Sequence, residues 1–131
     1  FGGVVLDPYA LAAFELDADP GEGQLDGGRR AGKYLELGVE PKYAIGRITL
    51  STPVAVGLSM GHYYELAMDD HAFGFTTVAG IVTVPLRRSA ASGSLNVRGS
   101  VQYGVLGTTT KAFNSGDRSF VVGSIGVVLS R

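Results

Sequence analysis

Hydrophobic and polar residues alternate with a period of two along most of this chain. The clearest run is Arg47 to Met60. Ile48, Leu50, Thr52, Val54, Val56, Leu58 and Met60 fall on one side, and Arg47, Thr49, Ser51, Pro53, Ala55, Gly57 and Ser59 on the other. A helix would spread those apolar residues around its circumference, whereas a strand gathers them on one face. Ser94 to Leu106 repeats the pattern: Leu95, Val97, Val101, Tyr103 and Val105 share a face with Gly99, opposite Asn96, Arg98, Ser100, Gln102 and Gly104. Tyr34 to Pro41 sets Leu35, Leu37 and Val39 against Tyr34, Glu36, Gly38 and Glu40. Arg118 to Arg131 sets Val121, Ile125, Val127 and Leu129 against Ser124, Gly126 and Ser130. Pro8 to Asp17 and Ala72 to Leu86 are apolar on both faces and also read as strands.

The pattern predicts about six antiparallel strands of roughly 10–15 residues. Globular strands cluster near about 5–6 residues, and a tilted bilayer-crossing strand needs roughly 9–11. Strand length therefore favours a membrane setting. The connections alternate as well. Residues 17–30, 61–70 and 107–117 form long ones, and residues 42–46 and 87–93 short ones. Outer-membrane barrels sort their loops this way, long outside and short on the periplasmic side. The expected fold is all-β, an antiparallel up-and-down meander forming a transmembrane β-barrel or part of one, in a single domain over residues 1–131.

A membrane barrel inverts the usual order, with its apolar face outward and its polar face toward a lumen. The polar faces here carry Glu36, Glu40, Arg47 and Arg98, with Glu15 fitting less regularly. Gly38, Gly57, Gly104 and Gly126 stand beside them. Small residues next to charges suit a narrow lumen, where long side chains need room to pair. A solvated sheet face accounts for the same residues, and loop sorting and strand length tip the choice toward the lumen. Aromatic residues near strand ends, Tyr34, Tyr43, Tyr63, Tyr64, Phe73 and Phe120 among them, fit interfacial girdles.

Composition agrees without deciding the matter. Hydrophobic residues make up 45% of the chain and charged residues 18%, below the roughly 25% usual in soluble domains. The 11 basic and 12 acidic residues nearly cancel, so a nucleic-acid partner has no electrostatic support. With no cysteine, disulfides, thiolate-bound zinc and thiol chemistry are excluded. No stretch approaches the ~18 apolar residues of a membrane helix. A span, if present, is made of strands.

The runs Tyr34-Leu35-Glu36-Leu37-Gly38-Val39, Thr52-Pro53-Val54-Ala55-Val56-Gly57-Leu58-Ser59 and His62-Tyr63-Tyr64-Glu65 carry a resemblance, together with Phe73-Gly74-Phe75 and Val122-Gly123-Ser124-Ile125-Gly126-Val127. Through them the chain resembles outer-membrane β-barrel proteins of Gram-negative bacteria, over most of its length and matching the C-terminal part of a longer barrel. The resemblance implies an outer-membrane location, a lipid bilayer as partner, and no known reaction. Such barrels usually end on an aromatic residue, and here the last residue is Arg131. Single-chain barrels have at least about 8 strands. The shortfall is met by missing N-terminal strands, by strands of other copies in a homo-oligomer or larger envelope complex, or by an open sheet against a partner. A start at Phe1 favours the first.

Candidate chemistry is thin. His62, Glu65, Asp69, Asp70 and His71 lie close enough in sequence to suggest divalent-metal ligands, although polar loops collect such residues without binding anything. Asp17, Asp19, Gly21, Glu22, Gly23 and Asp26 suit Ca²⁺ by residue type, but their spacing misses the EF-hand and a solvated loop is the simpler reading. Ser59 and His62, with Asp69 or Asp70 to orient the imidazole, suggest a hydrolase, yet no Gly-x-Ser-x-Gly elbow accompanies them. No phosphate-binding glycine loop is found. No catalytic residue and no cofactor is expected. The leading expectation is an outer-membrane barrel with a structural or pore-like role, Glu36, Glu40, Arg47 and Arg98 facing the lumen. A soluble β-sandwich or barrel that binds a small ligand or a partner protein is the main alternative, and an envelope hydrolase built on Ser59 and His62 the remote one.

Overall fold

The computed structural model describes residues 3–16, 30–67, 69–89 and 93–130. The strands β1 (Val4–Phe14), β2 (Lys33–Ile45), β3 (Ile48–Ser51), β4 (Val54–Gly61), β7 (Phe73–Ser89), β8 (Gly93–Leu106) and β9 (Ser119–Ser130) build one antiparallel sheet. A two-stranded hairpin of β5 (Glu65–Leu66) and β6 (Asp69–Asp70) and the helix α1 (Thr108–Phe113) complete it. β3 and β4 run end to end between the same neighbours, β2 and β7. The sheet is thus an up-and-down meander of six strand positions, as the alternation predicts.

Prolines account for several of its irregularities, though not for the register shifts at Lys33/Tyr34 and Gly57/Leu58. The predicted strand Arg47–Met60 is interrupted at Thr52–Pro53, where Pro53 has no N–H to give to the ladder. Backbone bonds from Thr52 N to Pro41 O (3.0 Å) and from Ala79 N to Pro53 O (2.9 Å) bridge the break and keep side-chain parity intact. In β7 the register shifts between Pro85 and Arg87, a bulge beside a residue that cannot donate. Pro8 lies inside β1, tolerated because β1 is an edge strand. That strand begins at Val4, ahead of the predicted Pro8, because Val4, Val5 and Leu6 pair with Tyr43, Lys42 and Pro41.

One short connection differs in place from expectation. β2 continues through Ile45, so the turn is Gly46–Arg47 with Ile45 opposite Ile48. Gly46 takes φ of 60°, which suits a two-residue hairpin with glycine first. The expected long loops at residues 61–70 and 107–117 contain the β5–β6 hairpin and α1. The long connection at residues 17–29, with its acidic glycine-rich run, lies outside the described residues.

Parity is sustained through the middle of the sheet, between the register shifts near its ends. Glu36, Gly57, Phe75 and, one strand on, Leu106 stand in register on one face. Arg98 and Gly126, and Ser100 and Ser124, share it. A single trough of about 570 Å³ is lined from this face by Tyr9, Glu36, Ala55, Thr77, Arg98 and Phe120, residues of six different strands, so the sheet curves toward its polar side. The opposite, convex face carries Val54, Val101, Tyr103, Val121, Ile125 and Val127, all exposed. Among the described residues the sheet does not close: β1 pairs there with β2 alone, and β9 with β8 alone.

Apolar burial is correspondingly slight. Among the described residues only Tyr34, Tyr64 and Ile81 are buried hydrophobics, whereas Ile125 is 83% and Val121 69% exposed. Glycines on the concave face seat rings from the adjacent strand. A Cβ on Gly38, Gly57 or Gly104 would come within 2.3, 2.4 and 2.3 Å of the rings of Tyr9, Phe75 and Phe120. Each ring lies directly across from its glycine or beside it in register. These glycines make room for aromatic rings rather than for the paired charges expected of them.

Candidate functional site

Two places gather polar groups, the concave trough and the end of the sheet that holds the long connections. In the trough, Glu36 on β2 accepts hydrogen bonds from the Tyr9 hydroxyl (2.7 Å) and the Tyr34 hydroxyl. Arg98 lines the same trough from β8. The strand positions of β4 and β7 stand between them. At about 4.8 Å per strand that puts the two backbones roughly 14 Å apart along the sheet. Among the described residues no ion pair joins Glu36 to Arg98, and the two leave opposite charges on the two flanks of the trough.

Toward the short-turn end a second group forms. Lys42 Nζ lies 2.5 Å from Asp7 and 3.6 Å from Glu40. Asp7 and Glu40 stand directly across from each other on β1 and β2, so one ammonium answers two carboxylates that would otherwise repel. Glu40 is thus paired by a lysine. Arg47 occupies the exposed Gly46–Arg47 turn at the rim, because the hairpin reverses one residue later than the alternation suggested. Asp7 and Lys42 were missed, Asp7 because the first strand was begun too late and Lys42 because it fell in the predicted turn. Their parity with Tyr9 and Glu40 is the signal that finds them.

At the other end the connections cluster. The rings of Tyr34 and Tyr63 lie 4.7 Å apart, and Tyr64 meets Tyr63 edge-on at 5.1 Å and Tyr34 at 6.1 Å. Gly74 accepts the Tyr64 ring where a Cβ would collide with it. Burial pushes the Tyr64 phenol up to about 12, with the neighbouring Tyr63 adding to the shift. Glu65 is 1% exposed. Its Oε1 lies 3.2 Å from Arg30, and its Oε2 lies 3.5 Å from His62 Nδ1. Among the described residues neither Glu65 Oε2 nor His62 Nδ1 has a hydrogen-bond partner. His62 sits at φ of 62°, a left-handed conformation that histidine adopts more readily than most residues.

This geometry separates the residues that sequence proximity had grouped. The Ser59 hydroxyl donates to Asp70 at 2.9 Å and accepts from the backbone N–H groups of Gly61 and Tyr63. It anchors the connection and makes no hydrogen bond to His62, the contact a serine nucleophile needs from its base. His71 Nδ1 contacts the Thr109 hydroxyl at 3.2 Å. Asp69 and Asp70 are exposed on β6. Of the five metal candidates His62 and Glu65 stay together, Asp70 and His71 make other contacts, and among the described residues no group of three or more His, Cys, Asp or Glu could hold a metal ion.

The helix α1 closes over this cluster. Thr109, 2% exposed, donates to Tyr64 O at 2.7 Å, and the Thr110 hydroxyl donates to Gly74 O. The long connections of three strand pairs therefore meet at one end of the sheet, through Arg30, residues 62–71 and α1. No helix among the described residues is long and apolar enough to cross a membrane. Compared with family models, curated proteins and solved structures, the chain matches none.

Proposed function

We propose that this chain is a segment of an outer-membrane β-barrel with a structural or pore-like role, its convex apolar face in lipid and its concave polar face toward a narrow lumen. One observation carries the reading: the apolar face of the curved sheet is the outer one. Ile125, Val121, Leu129, Val127 and Val101 stand 60–83% exposed there, while Glu36, Arg98, Ser100 and Gln102 line the trough together with Phe75, Ile81, Leu106 and Phe120. A soluble barrel turns its apolar residues inward, and a soluble sandwich covers them with a second sheet.

Strand length supports the same reading. β1 has 11 residues and β8 has 14. At about 3.3 Å per residue and a tilt near 45°, strands of that length rise about 26–33 Å, enough for an apolar band of about 25 Å. The asymmetry of the connections gives an orientation, with the tyrosine cluster and α1 outside and the Gly46–Arg47 turn on the periplasmic side. Glu36 and Arg98 then place opposite charges on the two flanks of the lumen, and Lys42 bridges Asp7 and Glu40 toward the periplasmic mouth. Arg47 lies at that mouth.

The test is fractionation. The chain is expressed behind an export leader, membranes are separated, and migration in detergent is compared before and after heating. Recovery in the outer membrane with a faster-migrating unheated band is the expected result. A soluble, monomeric product would overturn the reading and make the Val/Leu/Ile face a core that buries a ligand or partner.

A further inference from the structure

We propose that the concave trough binds a long-chain monocarboxylate, its carboxylate on Arg98 and its apolar chain running along β7 and β8 toward the aromatic rings. The proposal deepens the lumen reading above and rests on it, because a lumen is what leaves the concave face open to solutes.

The trough is graded along its strands. At one end stands Arg98, exposed and, among the described residues, without a hydrogen bond or ion pair. Its register partner on β9 is Gly126, where a Cβ would meet nothing within 4 Å. The guanidinium therefore has open space beside it. One row further along, Ser100 and Ser124 share a hydrogen bond of 2.7 Å. A hydroxyl has one proton to donate, so the serine that accepts in this pair keeps its own proton for another acceptor. A guanidinium fork with a free hydroxyl proton nearby suits an anion with two oxygens.

From there the face turns more apolar. Ile81 lies across from Ser100, Ala79 across from Gln102, and Phe75 across from Leu106. Phe120 lines the same trough from β9. From Arg98 to Leu106 the strand rises about 26 Å at about 3.3 Å per residue, so the cation and the rings belong to one site only for an elongated ligand. The volume, about 570 Å³, falls within the roughly 300–1,000 Å³ of small-molecule sites.

Charge fixes the direction. Glu36, on the other flank, already accepts from the hydroxyls of Tyr9 and Tyr34. The Phe75 ring, seated over Gly57, lies between Glu36 and the apolar strip. A carboxylate is repelled from that flank and drawn to Arg98. One unpartnered cation and one strip match one charge and one chain, which sets a fatty acid apart from a two-tailed phospholipid.

The test is photolabelling of the membrane-inserted protein with palmitic acid carrying a diazirine at its chain end, the labelled residues being mapped by mass spectrometry. The expected result is label on Phe75, Leu106 or Phe120, besides the convex residues that probe dissolved in the bilayer reaches. Unlabelled palmitic acid removes the concave label, whereas its neutral counterpart hexadecanol does not. Arg98→Gln raises the half-labelling concentration about 10- to 100-fold at the concave positions alone, the loss of a charge-assisted contact, and Arg98→Lys recovers part of it. Concave label that hexadecanol removes as well as palmitic acid does overturns the proposal, and this competition needs no variant to fold. Concave label unchanged by Arg98→Gln in a folded chain overturns it too. A heat-sensitive membrane protein labelled only on its convex face overturns the site and leaves the membrane reading standing. Recovery as a soluble monomer overturns the membrane reading and this proposal with it.

Discussion

Val101 is the most informative single position for the sidedness of this sheet. It is the ninth residue of the 14-residue strand β8, on the convex face, 60% exposed. Its register partners on both sides are glycines, Gly80 on β7 and Gly123 on β9. Val101→Arg therefore removes no side-chain contact directly across the sheet. In water such an exchange costs within about 0.5 kcal/mol. In a bilayer, arginine on the lipid face near mid-depth costs about 2–4 kcal/mol, or roughly 30- to 700-fold in the folding equilibrium. Gln102→Arg is the matched control. It lies one residue along at nearly the same depth, opposite Ala79 and Val122, and lines the trough. A polar side chain replaces a polar one there, and the expected change stays within about 0.5 kcal/mol. The assay is folding from urea into lipid vesicles, with the folded fraction read from unheated gels across a denaturant series. A midpoint loss confined to Val101→Arg is the expected outcome. Equal losses at both positions, or none at Val101→Arg in a chain that is folded, would refute the assignment of faces.

Three further perturbations test particular contacts. Gly104→Ala places a Cβ within 2.3 Å of the Phe120 ring and should destabilise the sheet by about 1–3 kcal/mol in denaturant unfolding, with Phe120→Ala in the same chain recovering much of the loss; additive losses would show that the ring is not seated there. Glu65→Ala takes the buried partner from Arg30 and His62, and it should open residues 62–71 to proteases several-fold faster while leaving the β7–β8 pairing protected in hydrogen exchange; unchanged cleavage would mean the carboxylate does not hold the connection. Tyr64 binds its proton more tightly in the folded state, near 12 against an ordinary value near 10, so its contribution to stability is complete below about pH 10 and is lost as pH rises toward about 12. Alkaline loosening of the aromatic cluster, followed by near-ultraviolet circular dichroism, should be weaker in Tyr64→Phe, and identical profiles would deny Tyr64 that role.

The parts of this molecule that could be read from the chain are those set by alternation. On β8 the assignment of Leu95, Val97, Val101, Tyr103 and Val105 to one face and of Asn96, Arg98, Ser100 and Gln102 to the other holds in every position, because a strand's side chains switch faces at each residue whatever their partners. Glu36 and Arg98 came with it. Boundaries suffered where another force acts. Arg47 fell on a strand in the sequence reading because its neighbours alternate, but Gly46 at positive φ lets Ile45 and Ile48 pair and leaves Arg47 in the turn. The helix α1 was not legible: Gly107 offers no capping side chain and Thr108, Thr109 and Thr110 are indifferent helix formers. Its fold is imposed from outside, by the bonds of Thr109 and Thr110 to Tyr64 and Gly74. Glu65 was visible only as a possible metal ligand, since its burial depends on Arg30 and His62 reaching it from separate segments.

Closure is the property least accessible to alternation. A period of two says which face a residue takes, and short turns such as Gly46–Arg47 say which strands are neighbours, but neither says what β1 and β9 meet on the sides left unpaired among the described residues. What remains is composition. β1 and β9, each paired on one side among the described residues, carry Val5, Leu11, Val122 and Val128 on the concave face, as β7 and β8 carry Phe75, Ile81 and Leu106 there. The composition of β1 and β9 therefore does not set them apart from the strands between them, and alternation bears on which face meets lipid rather than on how the sheet is completed.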